Sequence, residues 1–308
     1  KIPRSMKEKN MAVSVGDGKF GYEVAEGWGE LPDSYEWGQI GAVSVDSLDR
    51  VHLFTRTNHP VMIFDRDGKF LSTWGEDVFG DAHGMNIDSN DNLFAVDRAG
   101  NKAMKFTKDR KIVFELGNNG QASDTGYTAD HKEVLRAAGP FNSPTDVALS
   151  DNGDFYISDG YGNCRIHKYS ANGEFMFSWG EPGTGPGQFN LVHSVWEAEG
   201  KVYVADRQNH RIQIFTPDGK YLDEWGGFLQ PCDLYVDNDN IMYVAELQAR
   251  VTILDLNGTV LARIGDPEYR KPEPGKFIGP HGVWVDRHGD LYVSEVLMGQ
   301  RIQKFIRK

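Results

Sequence analysis

Along most of the chain, short apolar runs alternate with polar clusters rich in Asp, Asn, Gly and Ser, and one four-part phrase recurs. An apolar run is followed by an acidic turn (DSLD, DSND, SDNGD, DNDN, DRHGD) and then by a second run (VHLF, LFAV, FYIS, VYVA, MYVA, LYVS). After a polar loop comes a third run ending in an aromatic or aliphatic residue (VMIF, AMKF, IHKY, IQIF, VTIL, IQKF). Another turn, often DGK or NGE, leads to a fourth run that finishes on Trp-Gly or an aliphatic-Gly pair. Runs of this length between Asn/Asp/Gly turns predict antiparallel hairpins. Four strands in about 40 residues make the unit of a β-propeller blade.

The closing pairs Trp74–Gly75, Leu116–Gly117, Trp179–Gly180, Trp225–Gly226 and Ile264–Gly265 set the register of the repeat. Near the N-terminus, YEVAEGWG, ending at Trp28–Gly29, reads as a fourth strand with no blade before it, while the last repeat stops after its third strand at IQKF. The N-terminal strand is therefore expected to complete the C-terminal blade, closing the ring and covering a sheet edge. The expected fold is all-β, a six-bladed propeller with blades starting near residues 41, 82, 141, 191, 230 and 279. Residues 20–308 are read as one propeller domain and residues 1–19 as a tail, with Lys1 to Ser5 an addition ahead of a native Met6. Residues 118–140 break the period; HKEVLRAA within them is read as a short helix, and the segment as a lid or rim over one face, or as a loop that tolerates length.

Composition narrows the function. The net charge of −12 over 308 residues disfavours nucleic acid and anionic membranes as partners, and no apolar run approaches the roughly 20 residues of a membrane span. The expected partner is a small-molecule substrate; oligomeric state has no signature. Two cysteines, Cys164 and Cys232, and an N-terminus without an apolar leader read as a cytoplasmic chain, or a secreted one if a leader has been removed.

The chemistry lies at one position of the repeat. The phrases AHGMNID, VHSVWEA and PHGVWVD place His83, His193 and His281 just before an innermost strand; the equivalents in the other three repeats are Gly41, Thr145 and Cys232. Histidine thus falls on every second blade. Alternate blades of a six-membered ring lie about 120° apart, so all three imidazoles can face the axis as a three-histidine metal site with an open position. Zinc suits such a site; iron, manganese and cobalt are alternatives. The loops between second and third strands should share that face. They contain Arg56, with equivalents Arg98 and Arg207 that also suit packing between blades, and Tyr161 in a Gly-flanked turn with no core to fill. Cys232 is read as axis-facing or as inert packing, and Asp146 as support for a histidine or as a turn cap.

The chain resembles the peptidyl-α-hydroxyglycine α-amidating lyases, six-bladed propellers of the NHL type. The resemblance covers most of the chain and is strongest in SPTDVALSDNGDFYISDGYGNCRIHKYSANGEFMFSWGE, in GQFNLVHSV with VYVADRQNHRIQIF, and in GPHGVWVDRHGDLYVSE. It implies zinc on His83, His193 and His281, catalysis by Tyr161, and an active-site arginine at Arg56 that holds Tyr161 and grips the substrate's carboxylate. It also implies cleavage of a carbinolamide to an amide and glyoxylate. Departures limit what carries over. The family's calcium-contacting aspartate is Gly282 here, so structural calcium is not implied; one disulfide cysteine aligns with Gly162, for which Cys164 is no substitute; and a methionine before the third histidine is Gly279. Two other readings stand beside the lyase: a metal-dependent lactone or ester hydrolase on the same site, and a non-catalytic protein-binding scaffold.

Overall fold

Six four-stranded antiparallel sheets are arranged around an axis in the computed structural model, which describes residues 12–118 and 120–308; the expectation for Lys1 to Ser5 lies outside them. The innermost strands of blades 1 to 6 are Ile40–Val45, Ala82–Ile87, Pro144–Leu149, Val192–Ala198, Pro231–Val236 and Pro280–Val285. In blades 1 to 5 the strands follow one another outward in chain order. Blade 6 is closed as expected: Tyr22–Val24 pairs with Ile302–Arg307, and Ser14–Val15 adds a short fifth strand outside it.

The burial pattern explains why the apolar runs are continuous rather than alternating. Second strands such as Val51–Thr55, Leu93–Asp97 and Phe155–Asp159 are buried at every position, because neighbouring blades cover both of their faces. Outer strands such as Ile112–Gly117 are largely exposed. The core is therefore a set of seams between blades. Phe54 and Ile63 of blade 1, for example, pack against Met85, Met104 and Phe106 of blade 2. The Trp-Gly pairs serve these seams. Trp179 lies over Gly219 and Trp225 over Gly258, each in a turn of the following blade, where an added Cβ would come within 2.8 Å of the indole.

The acidic turns on the far face are built by their own side chains. Oδ1 of Asp46, Asp88, Asp237 and Asp286 each accepts two backbone N–H groups from the turn that follows it. A second set of carboxylates ends the second strands and secures the opposite face. Asp97, Asp159, Asp206, Glu246 and Glu295 are all buried, and each accepts a backbone N–H from the linker just ahead of its own innermost strand. The start of each such strand is fixed by a charge-assisted hydrogen bond.

HKEVLRAA forms no helix. The N–H groups of Leu135 and Arg136 both go to the carbonyl of Thr125, so this stretch folds back on the insertion instead of bonding along itself. No helix among the described residues is long and apolar enough to cross a membrane.

Candidate metal centre

Each innermost strand carries a register shift at its first residues, between Ile40 and Ala42, Ala82 and Gly84, Pro144 and Asp146, Val192 and Ser194, Pro231 and Asp233, and Pro280 and Gly282. The residue left unpaired by the bulge is in every case the repeat position singled out above: Gly41, His83, Thr145, His193, Cys232 or His281. A bulge bends its strand and re-aims the extra side chain. Three imidazoles are thereby brought together, with ring centroids 4.7 to 4.9 Å apart. Their nitrogens offer three ligand atoms within 4.8 Å of one another.

The other three positions turn out to be partners of the histidines. Nδ1 of His83 donates to the carbonyl of Thr145 at 2.7 Å, Nδ1 of His193 to that of Cys232 at 2.6 Å, and Nδ1 of His281 to that of Gly41 at 2.7 Å. A carbonyl can only accept, so each Nδ1 carries the hydrogen and each Nε2 keeps a free lone pair. Histidine from one blade and backbone oxygen from the next thus set all three tautomers in the form that binds a metal. Burial holds the three imidazoles well below their ordinary pKa, with help from neighbouring imidazoles and the positive charge of Arg56, Arg98 and Arg207. Nε2 of His281 is buried without a hydrogen-bond partner among the described residues. A bare acceptor enclosed in this way is costly unless a Lewis acid or donor meets it. The donor set fits a metal ion.

Tyr161 lies over this triangle. Its hydroxyl is 3.3 Å from Nε2 of His83 and 3.3 Å from Nε2 of His193. Two guanidinium groups flank the ring, Arg98 at 4.7 Å and Arg207 at 5.3 Å from its centroid, and Nη1 of Arg207 donates to the hydroxyl at 3.3 Å. Among the described residues the arginine that hydrogen-bonds Tyr161 is Arg207, where the resemblance implied Arg56. Asp81 draws Arg56 at 3.1 Å and Arg98 at 2.6 Å into one ion-paired group at the edge of the site. Arg56 also donates to Ala82 O and Gln39 Oε1, while its Nη2 is buried without a partner among the described residues. Sequence reasoning names Arg98 and Arg207 only as equivalents of Arg56 that leave packing between blades open; the signal available for them is the Asp-Arg pair repeated in the loops of blades 2 and 4.

Below the histidines the tunnel narrows to a cavity of about 20 Å³ lined by Gly41, Gly84, Met85, Asp146, Cys232 and Asp233 among others, room for about one water. Among the described residues Asp146 makes no hydrogen bond to a histidine. It accepts from Ser194 Oγ at 2.6 Å, and the same hydroxyl lies 3.1 Å from Asp233. Burial raises both carboxyls, Asp233 to about 7, and the charge of Asp233 pushes Asp146 further. Cys232 faces the cavity with its thiol pushed up to about 11 by burial, and Cys164 is likewise buried and unbridged.

Comparison with known proteins agrees with this architecture. The NHL repeat family model matches residues 141–169. NHL repeat-containing protein 3 of Mus musculus is 30 % identical over 301 residues, covering 91 % of this chain and 82 % of its own length. Peptidyl-alpha-hydroxyglycine alpha-amidating lyase 1 of Drosophila melanogaster is 28 % identical over 273 residues, covering 78 % of this chain but 47 % of the lyase. Among solved structures, a protein of unknown function from Bacteroides thetaiotaomicron superposes with a TM-score of 0.68 at 16 % identity, over 97 % of this chain and 77 % of that one, a likeness of fold alone. The chain belongs to the family of NHL-repeat six-bladed propellers that includes NHL repeat-containing protein 3, with the peptidyl-hydroxyglycine amidating lyases among its homologues.

Proposed function

We propose that the protein is a zinc-dependent carbon–nitrogen lyase that cleaves a small carbinolamide of the N-acyl-α-hydroxyglycine type into a primary amide and glyoxylate. The observation that carries this reading is the Tyr161 hydroxyl, 3.3 Å from the ligand nitrogens of two of three converging histidines. A proton-transferring group and a metal-binding donor set thus meet at one point. The three imidazoles, His83, His193 and His281, are the residues that would hold the ion, and an all-nitrogen set suits zinc. A divalent ion bound there supplies the Lewis acidity that lets a hydroxyl lose its proton near neutral pH. Tyr161 is within reach of that proton and carries it from the substrate hydroxyl to the departing amide nitrogen. The carbon–nitrogen electron pair leaves with the nitrogen while the oxygen–hydrogen pair becomes the new carbonyl bond, so atoms and charge balance without water. Arg207 donates to the Tyr161 oxygen, which leaves the hydroxyl hydrogen to point toward the triad. Arg56, with a buried N–H group to spare, suits the carboxylate of the substrate. Homologues named as amidating lyases support the same chemistry.

Elemental analysis followed by an assay for glyoxylate release from an N-acyl-α-hydroxyglycine tests the reading. Close to one zinc per chain is expected, with activity lost on chelation and restored by zinc. Tyr161→Phe should keep the metal and lose roughly 10²- to 10⁴-fold in kcat. Full activity after chelation, or in Tyr161→Phe, would remove the metal or the tyrosine from the mechanism. A carboxylic acid carrying solvent oxygen, in place of the primary amide, would mark a hydrolase.

A further inference from the structure

Every second-to-third loop is tied to the linker ahead of its own innermost strand by backbone hydrogen bonds. Arg56 N donates to Gln39 O, Arg98 N to Asp81 O, Arg207 N to Leu191 O, Leu247 N to Gln230 O and Val296 N to Gly279 O. The Tyr161 loop follows the rule, with Tyr161 N donating to Ser143 O at 3.4 Å and Gly162 N to Asn142 O at 3.0 Å. Blade 3 adds a second layer, and it comes from the inserted segment. Thr125 Oγ1 donates to Gly162 O at 2.6 Å and accepts from Asn142 Nδ2 at 3.0 Å. Asn142 Nδ2 also reaches Ser123 O at 3.0 Å. On the other side of the loop, Asn163 Nδ2 donates to Ala138 O at 2.7 Å and Ala138 N to Asn163 Oδ1 at 3.3 Å. Thr125, Asn142 and Asn163 are 0 %, 3 % and 0 % exposed.

The two attachments to the insertion therefore fall immediately after Tyr161, on Gly162 and on Asn163. The fit is close. A Cβ at Gly162 would fall 2.1 Å from Asn142 Oδ1 and 2.9 Å from the Tyr127 ring. Buried polar contacts of this kind fix geometry more than they add stability. A group that must move a proton within hydrogen-bond reach needs such fixing, because a displacement of about 1 Å can cost on the order of 10²-fold in rate.

We propose that the insertion is a positioning clamp, in which Thr125 and Asn142 hold the Tyr161 loop against the histidine triad. The inference rests on Tyr161 being the proton relay. It assigns the insertion a part in the rate of the reaction.

The test uses the full chain loaded with zinc, with Thr125→Val, its conservative partner Thr125→Ser, and Gly162→Ala. Zinc content and the thermal midpoint report the blades; hydrogen exchange of the peptide around 159–165 reports the loop; glyoxylate release gives kcat and KM separately. In Thr125→Val, loop exchange should quicken about tenfold, and kcat should fall roughly 10- to 100-fold with KM within about twofold and zinc retained. Thr125→Ser should restore both, and Gly162→Ala should lower kcat at least as far. Unchanged loop exchange in Thr125→Val, or quickened exchange with undiminished kcat there and in Gly162→Ala, would overturn the clamp. No glyoxylate release by the unsubstituted protein is a different failure: it would overturn the lyase reading, and the clamp as a rate-setting device with it.

Discussion

Below about pH 6.5 the three buried histidines should destabilise the metal-free protein, and their share of the slope can be worked from the triad. His83, His193 and His281 are at most 3 % exposed. All three titrate well below the ordinary value of 6.5, first because of burial, then because of one another and the nearby arginines. Each already gives its Nδ1 hydrogen to a carbonyl, so a second proton would place a charge on Nε2 beside positive neighbours. As pH falls through 6.5 the unfolded chain takes up protons on these residues and the folded chain does not. Stability is therefore fully present above 6.5 and declines below it, down to the folded-state values. One proton of difference is worth about 1.4 kcal/mol per pH unit, so the triad gives up to about 4 kcal/mol per unit. That is a large part of the 5–15 kcal/mol typical of a folded domain. The raised carboxyls of Asp146 and Asp233 work against it in the same window by taking up protons in the folded chain first. Denaturant midpoints of chelated protein at about pH 7.5, 6.5 and 5.5 read the slope, and His281→Gln isolates the triad from other titrating groups by removing about a third of it. An undiminished slope in His281→Gln would refute the reasoning. Zinc should protect, because it binds the same neutral imidazoles.

Gly41→Ala should weaken metal binding without touching a ligand. Its Cβ would lie 2.7 Å from His83 O and 2.8 Å from Ala82 O, so the strand must shift and carry the Gly41 carbonyl away from His281 Nδ1. A loss of about 10- to 100-fold in zinc affinity is expected, measured by competition with a chromophoric chelator; unaltered affinity would count against the carbonyl partners. Arg207→Lys keeps the charge but removes the guanidinium that donates to the Tyr161 hydroxyl and lies 5.3 Å from its ring centroid. It should lower kcat about tenfold at constant zinc content, more than Arg98→Lys, which touches only the ring face; equal activity in both variants would place the contact outside the mechanism.

Much of this protein is legible in one dimension. Blade number, strand order, closure by the N-terminal strand and the alternation of histidine with Gly41, Thr145 and Cys232 all follow from turn chemistry and apolar runs, which act over a few residues, and from their repetition. The helix read in HKEVLRAA failed because its N–H groups found Thr125 instead of one another, a choice that local propensity does not contain. The partners that complete the site lie far off along the chain: His83 meets Thr145 across 62 residues, and His281 meets Gly41 across 240. Those meetings need bulges at the mouths of all six innermost strands, and a pairing register exists only once strands are assembled. Arg207 rather than Arg56 hydrogen-bonds Tyr161, and residues on different blades choose partners by distance. Repetition therefore wrote the ring and its three histidines into the sequence. Only the closed ring decided which nitrogen, which arginine and which loop would face them, since hydrogen bonds and ion pairs form between neighbours in space.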